Sequence, residues 1–381
     1  MDIRSNVIPT RECQQKRKNL LNSSFDFGLL LPVLLLIGIG CFFIFDFTVV
    51  DNEVYDKNYY FVRQIIFAIG GILCMYFISR IDYHSLEALF IPSVIVIILI
   101  NLCYHLSDSL GVIQLGNQYL KIGPVILNVG TLTELISCVV IAKLLITKAT
   151  PVKKTLIVGT FVIFISAMLL LLPDYKSTTL FLCVVAIMLF INSKHFIFCA
   201  ISVSVVTLIA SVTVISGDIV DHRILAWMDP FADPNGSGYY VIQSLYSIAE
   251  GGFWGVGIGE GTLRYSIGNA HSFSILPAIV QETGLLGASI ILLLFLFFIF
   301  RSIKIAINAT DKGGFYLTTV IIVRFGTMLI MNLLVHTNLM PTIYNLRFPF
   351  LSYGGTELML DCFLVGILLS VARYQFEAGR R

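Results

Sequence analysis

Along this chain apolar residues come in long unbroken runs, separated by short polar stretches, and nowhere in strict alternation. The runs fall at 27–45, 62–79, 85–105, 126–147, 155–172, 178–192, 196–215, 274–300, 315–336 and 356–373. About 20 apolar residues in a helix cross the roughly 30 Å of a bilayer's hydrocarbon core. Barrel strands would instead show alternating segments of about ten residues. The pattern therefore predicts an all-α polytopic membrane protein of ten spans. Its fourth run is interrupted by Glu134 and Lys143, and its sixth is short. Two connections are long: 216–273, between spans seven and eight, and 337–355, between nine and ten. A loop of that first length in a compact bundle is usually functional or disordered. This one carries many glycines and aromatics and an apolar stretch, Tyr239-Tyr240-Val241-Ile242, so we expect an ordered segment lying against the membrane surface.

Charge sets the orientation. Lys16, Arg17, Lys18, Arg80, Lys153, Lys154, Lys194, Arg301, Lys304 and Arg373 share one side of the ten-span layout, and cytoplasmic segments carry the excess of Lys and Arg. Both termini are thus expected in the cytoplasm and the two long loops outside it. The expected division is a cytoplasmic tail at 1–26, a membrane domain at 27–373 with its large outer loop at 216–273, and a cytoplasmic tail at 374–381. The first apolar run is too long for a cleaved signal peptide, and no small-residue cleavage site follows it.

Composition agrees and excludes alternatives. Hydrophobic residues make up 57% and charged residues 13% of the 381, against about 25% charged in soluble domains, so a water-soluble enzyme is ruled out. A net charge of +2 gives no basic bulk for nucleic acid. Of eight cysteines only Cys13 lies outside a predicted span, so neither a disulfide framework nor a thiolate metal site is expected. The six histidines show no metal-ligand spacing.

The scarce intramembrane charges carry most of the chemical information, because each is costly there. Glu134, Lys143, Glu282, Arg324 and Asp361 qualify. Lys143 can snorkel to the near surface. Arg324 needs an acid or carbonyls, and either Glu134 or Glu282 could serve. Asp361, one turn into the last span, could reach the outer surface. Asn332 and His336, one turn apart, form a polar stripe of the kind that packs helices. The run Gly255-Val-Gly-Ile-Gly-Glu-Gly261 invites a nucleotide-binding reading, but that fingerprint needs a βαβ unit around it. Tight backbone turns are the expected role.

Several motifs together resemble the SEDS family, the FtsW, RodA and SpoVE group of cell division, elongation and sporulation proteins. In the long loop these are Arg223-Ile-Leu-Ala-Trp-Met-Asp-Pro230, Gly238-Tyr-Tyr-Val-Ile-Gln-Ser244 and Gly251-Gly-Phe-Trp-Gly-Val-Gly-Ile-Gly259. The family's closing motif is matched by Pro349-Phe-Leu-Ser-Tyr-Gly-Gly355, preceded by Asn332 and Pro341. Tyr60-Phe-Val-Arg-Gln64, Ser79-Arg-Ile-Asp-Tyr83 and Pro173-Asp174 match further forward, and Glu134 falls at the Glu of a Gln-Pro-Ser-Glu motif. The resemblance covers about residues 25–375. It implies polymerisation of glycan strands from lipid II outside the bacterial cytoplasmic membrane, with a class B penicillin-binding protein and other cell-wall synthesis or divisome proteins as partners. By the same resemblance Arg223, Glu134, Asp174, His271, Ser352, Gly354 and Gly355 are candidates to meet substrate. No cofactor is required, although a divalent cation could assist the pyrophosphate leaving group.

The chain departs from the family at telling places. The family's essential Asp lies in a His-Thr-Asp-Phe stretch that here reads His271-Ser-Phe273-Ser274, so Phe273 stands where a proton acceptor is expected. Thr131-Leu-Thr-Glu134 replaces the Gln-Pro-Ser-Glu motif, Ser137 a Lys, Gln118-Tyr119 an Arg-Trp pair, and Lys176 a Gly. Glu260, in the glycine run, is the first substitute acid. Arg223, with its bidentate fork, is the first pyrophosphate contact, unless it pairs with Asp221 or Asp229. Three readings follow: a lipid II polymerase with a relocated base, a silent relative that binds precursor or organises a penicillin-binding protein, and a precursor transporter drawing on Glu134, Glu282 and Arg324.

Overall fold

The computed structural model describes residues 26–48, 59–88, 90–109, 119–122, 125–147, 151–172, 174–192, 218–267, 271–341 and 346–378. The seventh predicted span, 196–215, the predicted N-terminal tail except Asp26, and residues 379–381 of the predicted C-terminal tail lie outside the described residues. The other nine predicted spans are helices: α1 (Phe27–Thr48), α2 (Tyr59–Arg80), α4 (Phe90–Ser109), α5 (Val129–Ile146), α6 (Pro151–Leu171), α7 (Tyr175–Ile191), α11 (Ile275–Ile307), α12 (Lys312–His336) and α13 (Gly355–Ala378). A short α3 (Tyr83–Ala88) precedes α4. The last helix runs five residues beyond its predicted end at 373. Six of these helices are long and apolar enough to cross a membrane.

One stretch differs from expectation. Residues 125–128, read as the start of the fourth span, form β2 (Val125–Asn128), paired antiparallel with β1 (Tyr119–Ile122). Val125 and Ile126 are apolar enough to extend a hydrophobic run, but β-branched neighbours favour a pleated strand. The helix starts only where Asn128 caps it, its Oδ1 accepting from the Thr131 amide at 3.0 Å. Asp174 caps α7 by accepting from the Ser177 amide and hydroxyl, and Asp311 caps α12 through Gly313 and Gly314. Such caps satisfy amides that a helix start leaves without partners.

Helix α5 sits at the centre, packed on α4, α6, α7 and α12, while α13 lies along α2 and α1 lies along α11. An aromatic cluster of Phe295, Phe298, Phe325, Phe348 and Phe350 fills the space between α11, α12 and the connection before α13. The described part of the long loop is helical: α8 (Asp218–Met228), a 3-10 turn at Pro230–Ala232, α9 (Tyr239–Gly251) and α10 (Leu263–Ser266). Asp229 and Asp233 serve its turns, accepting from the amides of Phe231 and Ser237. Helix α9 packs against α11.

Helix α11 is broken in its first third by Gly284, at φ 69° and ψ −174°, a conformation that L side chains rarely adopt. The glycine run splices the break. Val256 and Gly257 amides donate to the Gln281 and Glu282 carbonyls, while Leu285 and Leu286 amides donate to the Gly252 and Phe253 carbonyls. The run is therefore a structural brace. Beyond the break, Leu285, Ile290, Leu293, Phe297, Phe300 and Ile307 face outward. Residues 285–307 rise about 33 Å at 1.5 Å per residue, the thickness of a hydrocarbon core.

Candidate functional site

The polar residues of the bundle converge where α5, α7 and α13 begin and where residues 346–354 of the connection between α12 and α13 cross above them. That connection lies on the same face as the long loop, because α11 descends from the loop and α12 returns. A small cavity of about 20 Å³, partly open to solvent, is lined there by Thr131, Glu134, Lys176, Arg324, Arg347, Ser352, Gly354, Glu357 and Asp361, with Leu180, Met328 and Phe348 among its apolar walls. Three cations and three acids thus share one small space.

Their contacts divide the cluster into two halves. Arg324, fully enclosed on α12, donates from Nε to both oxygens of Glu134 at 3.1 and 3.2 Å, and from Nη1 to Asp361 at 3.1 Å. Buried charges persist only when paired and hydrogen-bonded in this way. This resolves the open choice for Arg324: Glu134 is its partner and Glu282 is not. It also corrects the expectation for Asp361, which does not reach the outer surface but turns inward to Arg324, where the guanidinium compensates its burial.

In the other half Glu357 lies between Lys176 (Nζ to Oε1, 3.5 Å) and Arg347 (Nε to Oε2, 3.0 Å). Asn128 and Thr131 also donate to its Oε1, at 3.2 and 3.4 Å, and Lys176 donates to Thr131 Oγ1 at 3.2 Å. Burial alone would lower the pKa of Arg347, but Glu357 and the hydroxyls of Tyr119 and Tyr353 outweigh it and hold it above the ordinary value. The Phe273 ring lies 5.7 Å from the Arg347 guanidinium carbon, a cation–π distance.

The closing motif builds the site through its backbone. A methyl group on Gly354 would overlap the Arg347 guanidinium, and one on Gly355 would overlap the Phe67 ring. Ser352 Oγ accepts from the Phe348 amide, and its carbonyl and the Gly354 amide both bond the Gln64 side chain. Phe350 takes a left-handed φ of 66°, held by stacking on Phe325. Such a conformation in a bulky residue is costly and persists where its surroundings enforce it. Asn332 donates to the Arg347 carbonyl at 3.1 Å, anchoring the backbone that presents this guanidinium.

Of the candidate residues singled out in the sequence, Glu134, Arg324, Ser352, Gly354 and Asp361 line the cavity. Asp174 borders it through Gly130 and its α7 cap. His271 stacks on Tyr60 and Tyr353, with ring centroids 4.6 and 5.4 Å apart. Burial, followed by the Arg347 charge, pushes its pKa down to about 4. Arg223 on α8 is half-buried, and Glu260 is exposed on the glycine brace. Neither lines the cavity. Glu282 is buried instead beside Asp46 and the Gly259 backbone, and Arg264 lies 3.4 Å from Asp46. The residues missed were Arg347, Glu357 and Thr131, together with the role of Lys176. Arg347 and Glu357 flank the closing motif, and that adjacency was the available signal.

Among the described residues no group of three or more His, Cys, Asp and Glu side chains is placed to hold a metal ion. Each cavity acid already faces a cation, so the donors do not fit a divalent cation.

The comparisons with known proteins bear on the fold and the family. The chain is 29% identical to the stage V sporulation protein E of Bacillus subtilis over 92% of its own length and 98% of that protein's. It is also 29% identical to a probable peptidoglycan glycosyltransferase FtsW of Trichlorobacter lovleyi, over 93% and 95% of the two chains. Its fold is similar to a chain of a peptidoglycan synthase complex that coordinates polymerization and crosslinking, with a TM-score of 0.73, 21% identity and coverage of 93% of this chain and 99% of that one. The rod shape determining protein RodA of Thermus thermophilus is similar at a TM-score of 0.65 and 16% identity, covering 93% and 98%. Residues 28–377 match the cell cycle protein model of FtsW, RodA and SpoVE, and the protein therefore belongs to that family.

Proposed function

We propose that the protein polymerises lipid II into glycan strands at the outer face of the bacterial cytoplasmic membrane, beside a class B penicillin-binding protein. The observation that carries this reading is the charged cavity under the 337–355 connection, built from the family's closing motif and the spans around it. In the reaction an acceptor sugar hydroxyl attacks the anomeric carbon of the donor, and the lipid pyrophosphate leaves. Preorganised cations stabilise charge that develops on such a leaving group, and three of them line this cavity. A carboxylate that accepts the hydroxyl proton accelerates the attack. Phe273 cannot do so, and Glu260 lies exposed on the brace. Glu134, Glu357 and Asp361 are the acids at hand.

A second reading, a relative that binds precursor or organises its partner without polymerising, is favoured by Phe273 itself: its ring packs toward Arg347 where the family carries its acid. The transporter reading keeps only Glu282 of its three supporting charges, because ion pairing within the bundle accounts for Glu134 and Arg324. The orientation with both termini in the cytoplasm belongs to the proposal too, resting on the distribution of Lys and Arg.

Purified protein, with and without its class B penicillin-binding protein, is given labelled lipid II and the products are sized on a gel. Glycan ladders that persist in Glu260→Gln are the expected result. Ladders absent from the wild type under every condition but present in Phe273→Asp would establish the second reading. Movement of precursor across liposomes without ladders would revive the third.

A further inference from the structure

The two halves of the cavity cluster differ in what their cations have left to give. Arg324 is committed, with aligned hydrogen bonds to two carboxylates. Lys176 and Arg347 are not. Lys176 donates to Thr131 at 3.2 Å and lies at a long 3.5 Å from Glu357, and an ammonium has three N–H donors. Arg347 Nε faces Glu357 at 3.0 Å yet has no aligned hydrogen-bond acceptor. Lys176 and Arg347 both face Glu357 in a buried space, and the nearby Asp174 carboxylate also acts on Lys176. The Phe273 ring covers the guanidinium without supplying a second counter-ion, and apolar cover strengthens the field at Arg347.

We propose that Lys176 and Arg347 form the pyrophosphate-binding end of the cavity, and that Glu357 occupies it as an internal counter-ion which the incoming anion displaces. A diphosphate offers several acceptor oxygens to a pair of cations that one carboxylate leaves under-bonded, and a guanidinium fork suits it. Glu357 keeps a place to go, because Asn128 and Thr131, both neutral donors, already hold its Oε1. Gly354 admits the guanidinium, and Asn332 fixes the backbone behind it. The site thus differs from the Arg223 contact expected from sequence. The inference rests on the lipid II reading only for the identity of the anion.

The test uses the full chain in nanodiscs, with undecaprenyl pyrophosphate as probe and undecaprenol as the uncharged control. The wild type is expected to bind the pyrophosphate more tightly than the alcohol, and more weakly as salt rises. Lys176→Gln should weaken binding about tenfold, as loss of one charge-assisted contact does, while Lys176→Arg retains it. Glu357→Gln should tighten binding several-fold, since the competing counter-ion is gone. These opposite signs separate an anion site from an ion pair that merely holds helices together. Equal weakening by Lys176→Gln and Glu357→Gln, or no change in either, overturns the proposal, as does equal binding of pyrophosphate and alcohol. Should Lys176→Gln fail to fold, Arg347→Lys is read in its place, with the same weakening expected and unchanged binding refuting. Binding that follows this pattern without glycan ladders sinks the polymerase reading alone. Ladders from the wild type with unaltered binding in the variants sink this inference alone.

Discussion

Arg324 gives the sharpest test of the energetics. At 3.1 Å and an effective dielectric constant near 20, each of its two ion pairs is worth about 5 kcal/mol of Coulomb attraction. Desolvation of three charges consumes most of that gain, so the triad contributes little net stability over an apolar substitute. Removing the arginine alone is a different matter, because it strands Glu134 and Asp361 together in a buried space. Arg324→Met is expected to cost about 3–5 kcal/mol. Asp361→Asn leaves the better-bonded Glu134 pair intact and should cost about 1–3 kcal/mol. Replacing all three, with Arg324→Met, Glu134→Met and Asp361→Leu, should recover most of the loss. Thermal unfolding of purified variants in one detergent, followed by circular dichroism, gives the order of midpoints. The reasoning fails if Arg324→Met melts no lower than Asp361→Asn, or if the triple replacement melts below Arg324→Met.

Three further outcomes are expected. Gly284→Ala forces a side chain into a left-handed backbone and against the Phe253 carbonyl; it should cost at least about 1–3 kcal/mol, read as a lowered melting midpoint, whereas Gly38→Ala, which meets nothing within 4 Å, should not. His271 has a pKa of about 4 when folded and about 6.5 when unfolded. The unfolded chain therefore binds more protons between those values, and stability present above pH 6.5 is lost as pH falls toward 4, by about 2 kcal/mol at pH 5. His271→Phe, which keeps the ring stack, should flatten the melting midpoint across that window, and an unchanged slope would count against burial as the cause. Trp254, 77% exposed and tethered beside the first outward-facing leucines of α11, should lie at the membrane interface, as Trp commonly does. The chain has two tryptophans, so in a Trp227→Phe background Trp254 emission should be quenched more by lipids brominated near the headgroup than by lipids brominated at the acyl terminus.

The spans were legible because hydrocarbon thickness imposes a length and a composition on any helix that crosses it, and each run displays both locally. The glycine brace was half legible. Gly255, Gly257 and Gly259 announced tight turns, yet nothing in their spacing said that they would hydrogen-bond across the break at Gly284, since the partners are more than twenty residues away in sequence. The exposed position of Glu260 and the half-buried one of Arg223 were hidden for the same reason: acid or base type says what a side chain can do and not where it points. Asp361 looked like a residue within reach of water because its helix starts nearby, and only the approach of α12 turned it inward.

By itself, then, the sequence determined that this is an all-α membrane protein, which runs cross the bilayer, and that its closing motif and scarce charges would matter. Those follow from local hydrophobicity and from the cost of bare charge in lipid. Only the tertiary structure decided that Arg324 takes Glu134 and Asp361 while Lys176 and Arg347 share Glu357. Charge pairing in a buried space is settled by distances of 3–4 Å between helices far apart in the chain, and the Coulomb energy that selects among partners exists only once packing has set those distances.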